Sequence, residues 1–185
     1  MYILFSRGDD MYKKMFLYGI AASLGVLAAL AVTAVFTVMT IRGSGMEPAL
    51  YDGDKVLINK IAYTKNAAGD APEDDPSVGD VVAFRSSVYG EEGEGSILVR
   101  RVAGVPGDIV EIKDNMFYLN GKPYDEYMKE PVSLEDMAEV ELRDGEIFVL
   151  GDNRKSSMDS RNEAIGVLKI DDCVGKIVLK WKGIR

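Results

Sequence analysis

The segment Gly43-Ser44-Gly45-Met46-Glu47-Pro48-Ala49-Leu50 separates two parts of the chain that have different sequence patterns. The preceding residues, 15–41, contain no charged side chain. The residues that follow alternate short β-branched or apolar runs with turn residues. Glycine and proline within the segment indicate a loop. The sequence therefore predicts an apolar helix, this loop and then a mainly β domain, which fits a length of 185 residues.

The apolar run at residues 15–41 is long enough to cross a membrane. About 20 apolar residues span a bilayer, whereas the apolar core of a cleaved signal peptide, the alternative, has only about 7–15. Lys13 and Lys14 precede the run and favour a cytoplasmic N-terminus. We predict a single-pass protein of the cell membrane, with a cytoplasmic tail at 1–14, a transmembrane helix embedded in the lipid bilayer at 15–41 and an exported domain at 42–185.

The composition of the predicted exported part excludes several classes of function. It carries 19 Lys and Arg against 28 Asp and Glu, a net charge of −9, which argues against binding to nucleic acid. The chain has no histidine, so catalysis by a Ser-His-Asp or Cys-His arrangement is excluded. Its single cysteine, Cys173, rules out an internal disulfide and is read as a packed side chain. No metal site and no cofactor are predicted.

Seven short runs after residue 42 have the composition of β-strands, and Gly, Asp, Asn or Pro turns bound them. A mainly β domain, barrel-like or built as a folded sheet, follows from this pattern. The predicted strands are residues 55–58, 80–84, 96–102, 109–113, 116–119, 146–150 and 175–181.

Three other stretches have different patterns. Residues 133–142 are the one stretch outside the N-terminal run with a helix-like pattern. Residues 66–77 are acidic and lack apolar periodicity, which predicts a surface loop. Residues 90–95 are rich in Gly and Glu and are read as the solvated end of a hairpin.

Five motifs that follow the apolar run in a fixed order resemble those of the bacterial type I signal peptidases, in the form found in Gram-positive bacteria. The family pattern Gly-x-Ser-Met-x-Pro-Thr-Leu corresponds to the opening segment, and the remaining motifs extend the resemblance over nearly the whole predicted exported part. They are residues 43–50, 53–60 (GDKVLINK), 79–84 (GDVVAF), 100–108 (RRVAGVPGD) and 151–161 (GDNRKSSMDSR).

The resemblance implies a signal-peptidase-like β domain behind one membrane helix, and a serine and a lysine as the reacting pair. In that family the serine attacks a peptide carbonyl, and a neutral lysine amine takes its proton. The serine position here is Gly45 and the lysine position is Arg100. Glycine has no side-chain oxygen, and a guanidinium stays protonated at any pH a protein tolerates. We therefore predict that neither position is catalytic.

Ser44 is the alternative nucleophile. It lies one residue before the family position, so using it would shift Gly43, Met46 and Pro48 out of register with the family pattern. Its other interpretation is a loop serine that makes backbone hydrogen bonds.

The remaining site positions match the family pattern. Ser157 corresponds to the serine that orients the lysine, and Asp159 and Arg161 to residues that pair beneath the active site. Arg101, Asp152 and Arg154 belong to the same two motifs, and we predict that Gly43, Met46 and Pro48 complete the scaffold. A buried arginine at position 100 would need a partner, and Asp152, Asp159 or solvent are the candidates.

Three functions remain open from the sequence. The first is a non-catalytic binder of exported precursors such as pilins, held as extended strands, that acts in pilus or surface-protein assembly. The second is an active signal peptidase that cuts after Ala-x-Ala and uses Ser44. The third is an interaction module whose cleft is blocked. The resemblance to dyad-lacking proteins of Gram-positive pilus gene clusters favours the first.

Overall fold

The computed structural model describes residues 6–63, 75–86, 96–124 and 134–183, with side chains from residue 11 onward. The chain divides after Phe36 into two compact units. The predicted tip at residues 90–95 and most of the predicted loop, residues 66–74, lie outside the described residues.

The first unit is the helix α1, which covers Ser6–Val35. Its segment Met11–Val35 has a mean hydropathy of 2.2 and is long and apolar enough to cross a membrane. At about 1.5 Å per residue, 25 residues exceed the roughly 30 Å of a bilayer core. Large apolar side chains are exposed along it.

The predicted C-terminal end of this helix, residue 41, differs from the structure. The helix ends at Val35, and Phe36–Thr40 form the strand β1. This stretch, FTVMT, contains an aromatic and three β-branched side chains, which favour an extended backbone once a neighbouring strand is available. Strand β2 supplies that neighbour.

The second unit contains two antiparallel sheets, which confirms the mainly β prediction. One has seven strands in the order β1-β2-β11-β3-β4-β9-β10, and the other has four in the order β7-β6-β5-β8. The strands after β1 are β2 (Lys55–Asn59), β3 (Val81–Ser86), β4 (Ser96–Gly104), β5 (Ile109–Lys113), β6 (Met116–Leu119), β7 (Lys122–Pro123), β8 (Met137–Glu141), β9 (Glu146–Leu150), β10 (Leu168–Lys169) and β11 (Cys173–Trp181), with a 3-10 turn at Ile170–Asp172.

Each of the seven predicted runs coincides with a strand, and the turn chemistry explains one hairpin directly. Asp114 and Asn115 have φ of 52° and 63°, the left-handed values required by a two-residue turn between β5 and β6. The helix-like interpretation of residues 133–142 is wrong, because Met137–Glu141 form β8 and pair with β5. Pairing with a buried neighbouring strand outweighs a weak local periodicity.

Strand β4 of the seven-stranded sheet contributes to the candidate site. It pairs with β3 along residues 96–101 and with β9 only from residue 101 onward. Within the part of the chain that the structure describes, residues 96–100 therefore have a strand on one side alone. Because β1 ends the sheet order, it too has an edge without a described strand partner.

Three clusters of buried apolar side chains form the core of this unit. One contains Phe117 and Phe148, whose rings stack 5.8 Å apart. Another lies behind the opening segment and includes Met46 and Leu50, which are 2% and 3% exposed. These two side chains are thus core residues, and they anchor the loop from which they come.

Candidate functional site

The segment that opens the sequence forms a loop held at both of its ends. Gly43 has φ of 79°, a conformation that glycine adopts without strain, and its N–H donates to the carboxylate of Asp52. The N–H of Leu50 donates to the carbonyl of Met46 over 2.8 Å. The side chains of Met46 and Leu50 are buried in the core and anchor the loop. The predicted loop therefore has one defined conformation.

A second loop, residues 151–161, clamps the first. Asn153 donates from its backbone N–H to the carbonyl of Gly45 and from its side-chain amide to the carbonyl of Ser44, each over 3.1 Å. A Cβ at Gly151 would lie 2.2 Å from that of Ser157 and 2.6 Å from the Gly45 carbonyl oxygen. A residue larger than glycine at position 151 would therefore clash with both loops and separate them.

Arg100 reaches the place where these two loops meet. It lies on β4 and is 8% exposed. Its Nε donates to the carbonyl of Met158 over 2.8 Å, and its Nη1 donates to the carbonyl of Val99 over 2.6 Å. A Cβ built on Gly45 would lie 3.3 Å from Nη1 and 3.4 Å from Cζ and Nη2. The guanidinium therefore occupies the space into which a side chain at position 45 would project.

The predicted carboxylate partners of Arg100 are bound to other arginines. Asp152 accepts from Arg101 Nε and Nη2 over 2.8 and 2.6 Å, a two-bonded ion pair, and Arg101 Nη1 donates to the carbonyl of Gly79. Asp159 pairs with Arg161, with 2.8 Å between Nε and Oδ1. Since side chains alternate along a strand, Arg100 and its neighbour Arg101 point to opposite faces of β4. Backbone carbonyls are among the partners that stabilise the buried charge of Arg100 instead.

Asp159 is the centre of a buried polar network. Its Oδ2 accepts hydrogen bonds from the Gly151 N–H over 2.9 Å, from the Ser157 hydroxyl over 2.5 Å and from Arg161 Nη2 over 2.9 Å. Burial alone would raise the pKa of Asp159, but the hydrogen bond and charge of Arg161, with the other two donors, outweigh it and hold the pKa below its ordinary value. Asp159 therefore stays ionised and fixes the 151–161 loop.

Arg154 belongs to the same network. Its Nε donates to the carbonyl of Gly151, and its own carbonyl accepts from Arg161. Burial, and then the charge of Arg161, lower the pKa of Arg154 from its ordinary value. These two hydrogen bonds cross-link the loop.

Two cavities lie on opposite sides of the 151–161 loop. The first, here called the cleft, has a volume of about 470 Å³, and the second of about 760 Å³. Ser156 and Met158 face the cleft, whereas Ser157 and Asp159 face the second cavity, so side chains alternate between the two cavities over residues 156–159. The cleft is lined by Met39, Thr40, Ile41, Arg42, Gly43, Ser44, Gly45, Met46, Ser96, Ile97, Leu98, Val99, Arg100, Ser156 and Met158.

Most of the predicted site residues fall into two groups, one lining each cavity. Gly43, Ser44, Gly45, Met46 and Arg100 come together in the cleft. Arg154, Ser157, Asp159 and Arg161 line the second cavity, while Pro48 is exposed and lies in the lining of neither.

Sequence reasoning missed the two walls of the cleft. Residues 39–42, at the end of β1 and just after it, form one, and residues 96–99 of β4 form the other. The composition of residues 96–102 predicted a strand, but nothing local in the sequence indicated that one of its edges faces a cavity.

Ser44, the alternative nucleophile, lines the cleft. Within the described residues its hydroxyl makes no hydrogen bond, and the cleft lining contains two arginines but no lysine. A serine becomes a nucleophile when an adjacent base takes its proton, and arginine does not lose its proton in proteins. Likewise, no cluster of His, Cys, Asp or Glu that could hold a metal ion occurs in the described ranges.

Comparison with known proteins gives consistent matches. The family model "Signal peptidase, peptidase S26" matches residues 14–182. Signal peptidase I T of Bacillus subtilis is 37% identical over 171 residues, covering 85% of this chain and 80% of that protein. Signal peptidase IB of Staphylococcus aureus is 32% identical over 165 residues, covering 80% and 78%.

A crystal structure of a signal peptidase I from Enterococcus faecalis V583 aligns with a TM-score of 0.45 and 27% identity, over 56% of this chain and 97% of that one. The family assignment does not depend on this alignment, because the family model and the two relatives each cover most of the chain. This chain belongs to the peptidase S26 family of signal peptidases.

Proposed function

We propose that this chain is a membrane-anchored member of the family that binds exported precursors without cutting them. The observation that carries the proposal is the position of Arg100, whose guanidinium lies 3.3 Å from the point where a side chain on Gly45 would begin. Nucleophile and base positions are thus adjacent in space, as a Ser/Lys pair requires, but neither residue can perform its step. Gly45 offers no oxygen to attack, and Arg100 offers no neutral nitrogen to accept a proton.

The cleft nonetheless retains what an extended peptide needs. Its walls come from β1 and from the part of β4 that β9 does not cover. An extended peptide adds to such strand edges through main-chain hydrogen bonds, which involve no catalytic side chain. Apolar side chains such as Ile97 and Met39 line the cleft and would contact alternate residues of the guest. A protein that does not cleave peptides can therefore still bind them in this cleft.

The clients we propose are exported precursors, with pilins as the leading case, in pilus or surface-protein assembly. The support is the family membership together with the changed pair at positions 45 and 100. Helix α1 would hold the protein in the cell membrane as a single span, with Lys13 and Lys14 on the cytoplasmic side. The β domain would then face the compartment through which such precursors pass.

The test is a comparison of the natural protein with a Gly45→Ser/Arg100→Lys double variant in detergent micelles. The substrate is a precursor peptide with an Ala-x-Ala site, and both cleavage and binding are measured. We expect binding by both proteins and cleavage by the double variant alone, because lysine is shorter than arginine and vacates the space that a serine at position 45 needs. The single variants Gly45→Ser and Arg100→Lys serve as matched controls and should not cut.

Other results would replace the proposal. Cleavage by the natural protein would contradict it and point to Ser44, which a Ser44→Ala variant would then confirm or exclude. Absence of precursor binding in a folded sample would favour the interaction module, with the guanidinium of Arg100 as the group that blocks the cleft.

A further inference from the structure

The cleft carries positive charge in a protein that is acidic as a whole. The chain has a formal net charge of −8. Among the described residues that line the cleft, two are arginines, Arg42 and Arg100, and none is Asp or Glu. A concave site lined by one sign of charge focuses its field and attracts ligands of the opposite sign. The charge of the cleft lining thus differs in sign from the net charge of the chain.

The guanidinium of Arg100 is held in a fixed orientation within this cleft. Hydrogen bonds from Nε to the Met158 carbonyl and from Nη1 to the Val99 carbonyl are among the interactions that orient it. The absent side chain of Gly45 leaves the guanidinium 3.3–3.4 Å from the vacant Cβ position. An arginine that is already oriented loses little conformational freedom when it binds a ligand.

We propose that the cleft selects extended peptides that place a carboxylate against Arg100, next to Gly45. The inference rests on the proposed function, because it names the chemical class of the precursor that the cleft would bind. Arginine and carboxylate form charge-assisted hydrogen bonds, which are shorter and about twice as strong as neutral ones. Burial strengthens the attraction, since Arg100 is only 8% exposed.

A peptide can supply that carboxylate in two ways. The chain end of a peptide already cut by another peptidase ends in a carboxylate, and an uncut precursor can carry the side chain of Asp or Glu at the same place. The first source would make this protein a receptor for cleaved segments, and the second a receptor for intact precursors with an acidic residue.

Fluorescence anisotropy with the full-length protein in neutral detergent tests this selection. The probes are one labelled peptide that ends in Ala-Gln-Ala with a free carboxylate, the same peptide with a terminal amide, and two longer peptides that continue with either Glu or Gln. We expect the acidic member of at least one pair to bind at least about tenfold more tightly at low salt. The difference should shrink as salt is added, because screening weakens ion pairing.

Substitutions test whether Arg100 causes the preference for the acidic peptide. Arg100→Met should remove the preference for the acidic peptide, while Arg143→Met, a matched change of an exposed arginine outside the cleft, should retain it. If Arg100→Met does not fold, Gly45→Ala provides the second test, because its methyl group would stand against the guanidinium and reduce the preference.

The outcomes separate this inference from the function on which it rests. Equal affinity for the acidic and neutral members of both pairs overturns the inference and leaves the binder function standing. No binding of any peptide to the folded natural protein overturns both. A preference that survives in Arg100→Met, or in Gly45→Ala if the former does not fold, also overturns the inference, since another group would then hold the carboxylate.

Discussion

The two sides of the 151–161 loop have diverged differently from the family pattern. On the cleft side, the positions that we propose to correspond to the reacting serine and lysine of the family hold Gly45 and Arg100. On the far side, Ser157, Asp159 and Arg161 match the pattern and form a network of short hydrogen bonds. The side that faces the second cavity is thus cross-linked by hydrogen bonds around Asp159, and the proposed loss of catalysis concerns the cleft side alone.

We expect the largest effect on stability from breaking the hydrogen-bond network around Asp159. Asp159→Asn should lower the free energy of unfolding by about 3–5 kcal/mol, because it removes the charge that neutralises a partly buried arginine. Denaturant unfolding, followed by the fluorescence of the single tryptophan, Trp181, measures the loss. Asp171→Asn, an exposed aspartate, is the control and should change stability by less than about 0.5 kcal/mol. Comparable small losses in both would place the stabilising interactions elsewhere.

The next effect compares one substitution on the two sides. Gly151→Ala should cost more than about 3 kcal/mol, because its Cβ would overlap Ser157 and the backbone carbonyl of Gly45. Gly45→Ala should cost about 1 kcal/mol or less, since it meets only the end of a side chain at 3.3 Å. Thermal unfolding of both variants measures the difference. If Gly45→Ala were the more damaging, the cleft would be the rigid side.

The adjacent residues Ser156 and Ser157 face different cavities, and their effects on the pH dependence of stability should differ. The pKa of Asp159 is lowered in the folded protein, so its contribution to stability is present above the pKa of an unfolded aspartate, about 3.9, and is lost as pH falls toward the folded value. Ser157→Ala removes one hydrogen bond that lowers this pKa. The acid-induced loss of stability should therefore be smaller in Ser157→Ala than in the natural protein.

Ser156→Ala is the control for this pH experiment, because Ser156 faces the cleft instead. Unfolding midpoints between pH 6 and pH 2 measure the effect, and we expect Ser156→Ala to follow the natural profile. Identical profiles for all three proteins would mean that Asp159 does not set the acid sensitivity of the loop.

The sequence predicts those features that depend on neighbouring residues, and it misses those that depend on contacts between distant parts of the chain. The strands of four or more residues after residue 50 were predictable, apart from Met137–Glu141, because composition and turn residues act locally. The two-residue strands β7 and β10 were missed, since they exist only through their neighbours. The partners of Arg100 were missed for the same reason. They include the carbonyls of Val99 and Met158, and the positions of backbone groups cannot be read from a sequence.

The smallest effect tests whether the two changes on the cleft side depend on each other. A double-mutant cycle combines Gly45→Ala with Arg100→Met, and stability is measured for all four proteins. In the natural protein the new methyl group presses on the guanidinium, whereas a methionine side chain is flexible and can yield. We expect Gly45→Ala to be less costly in the Arg100→Met background, with a coupling of about 0.5–1 kcal/mol. Additive changes would mean that Arg100 does not need a glycine opposite it, and that the two positions changed for separate reasons.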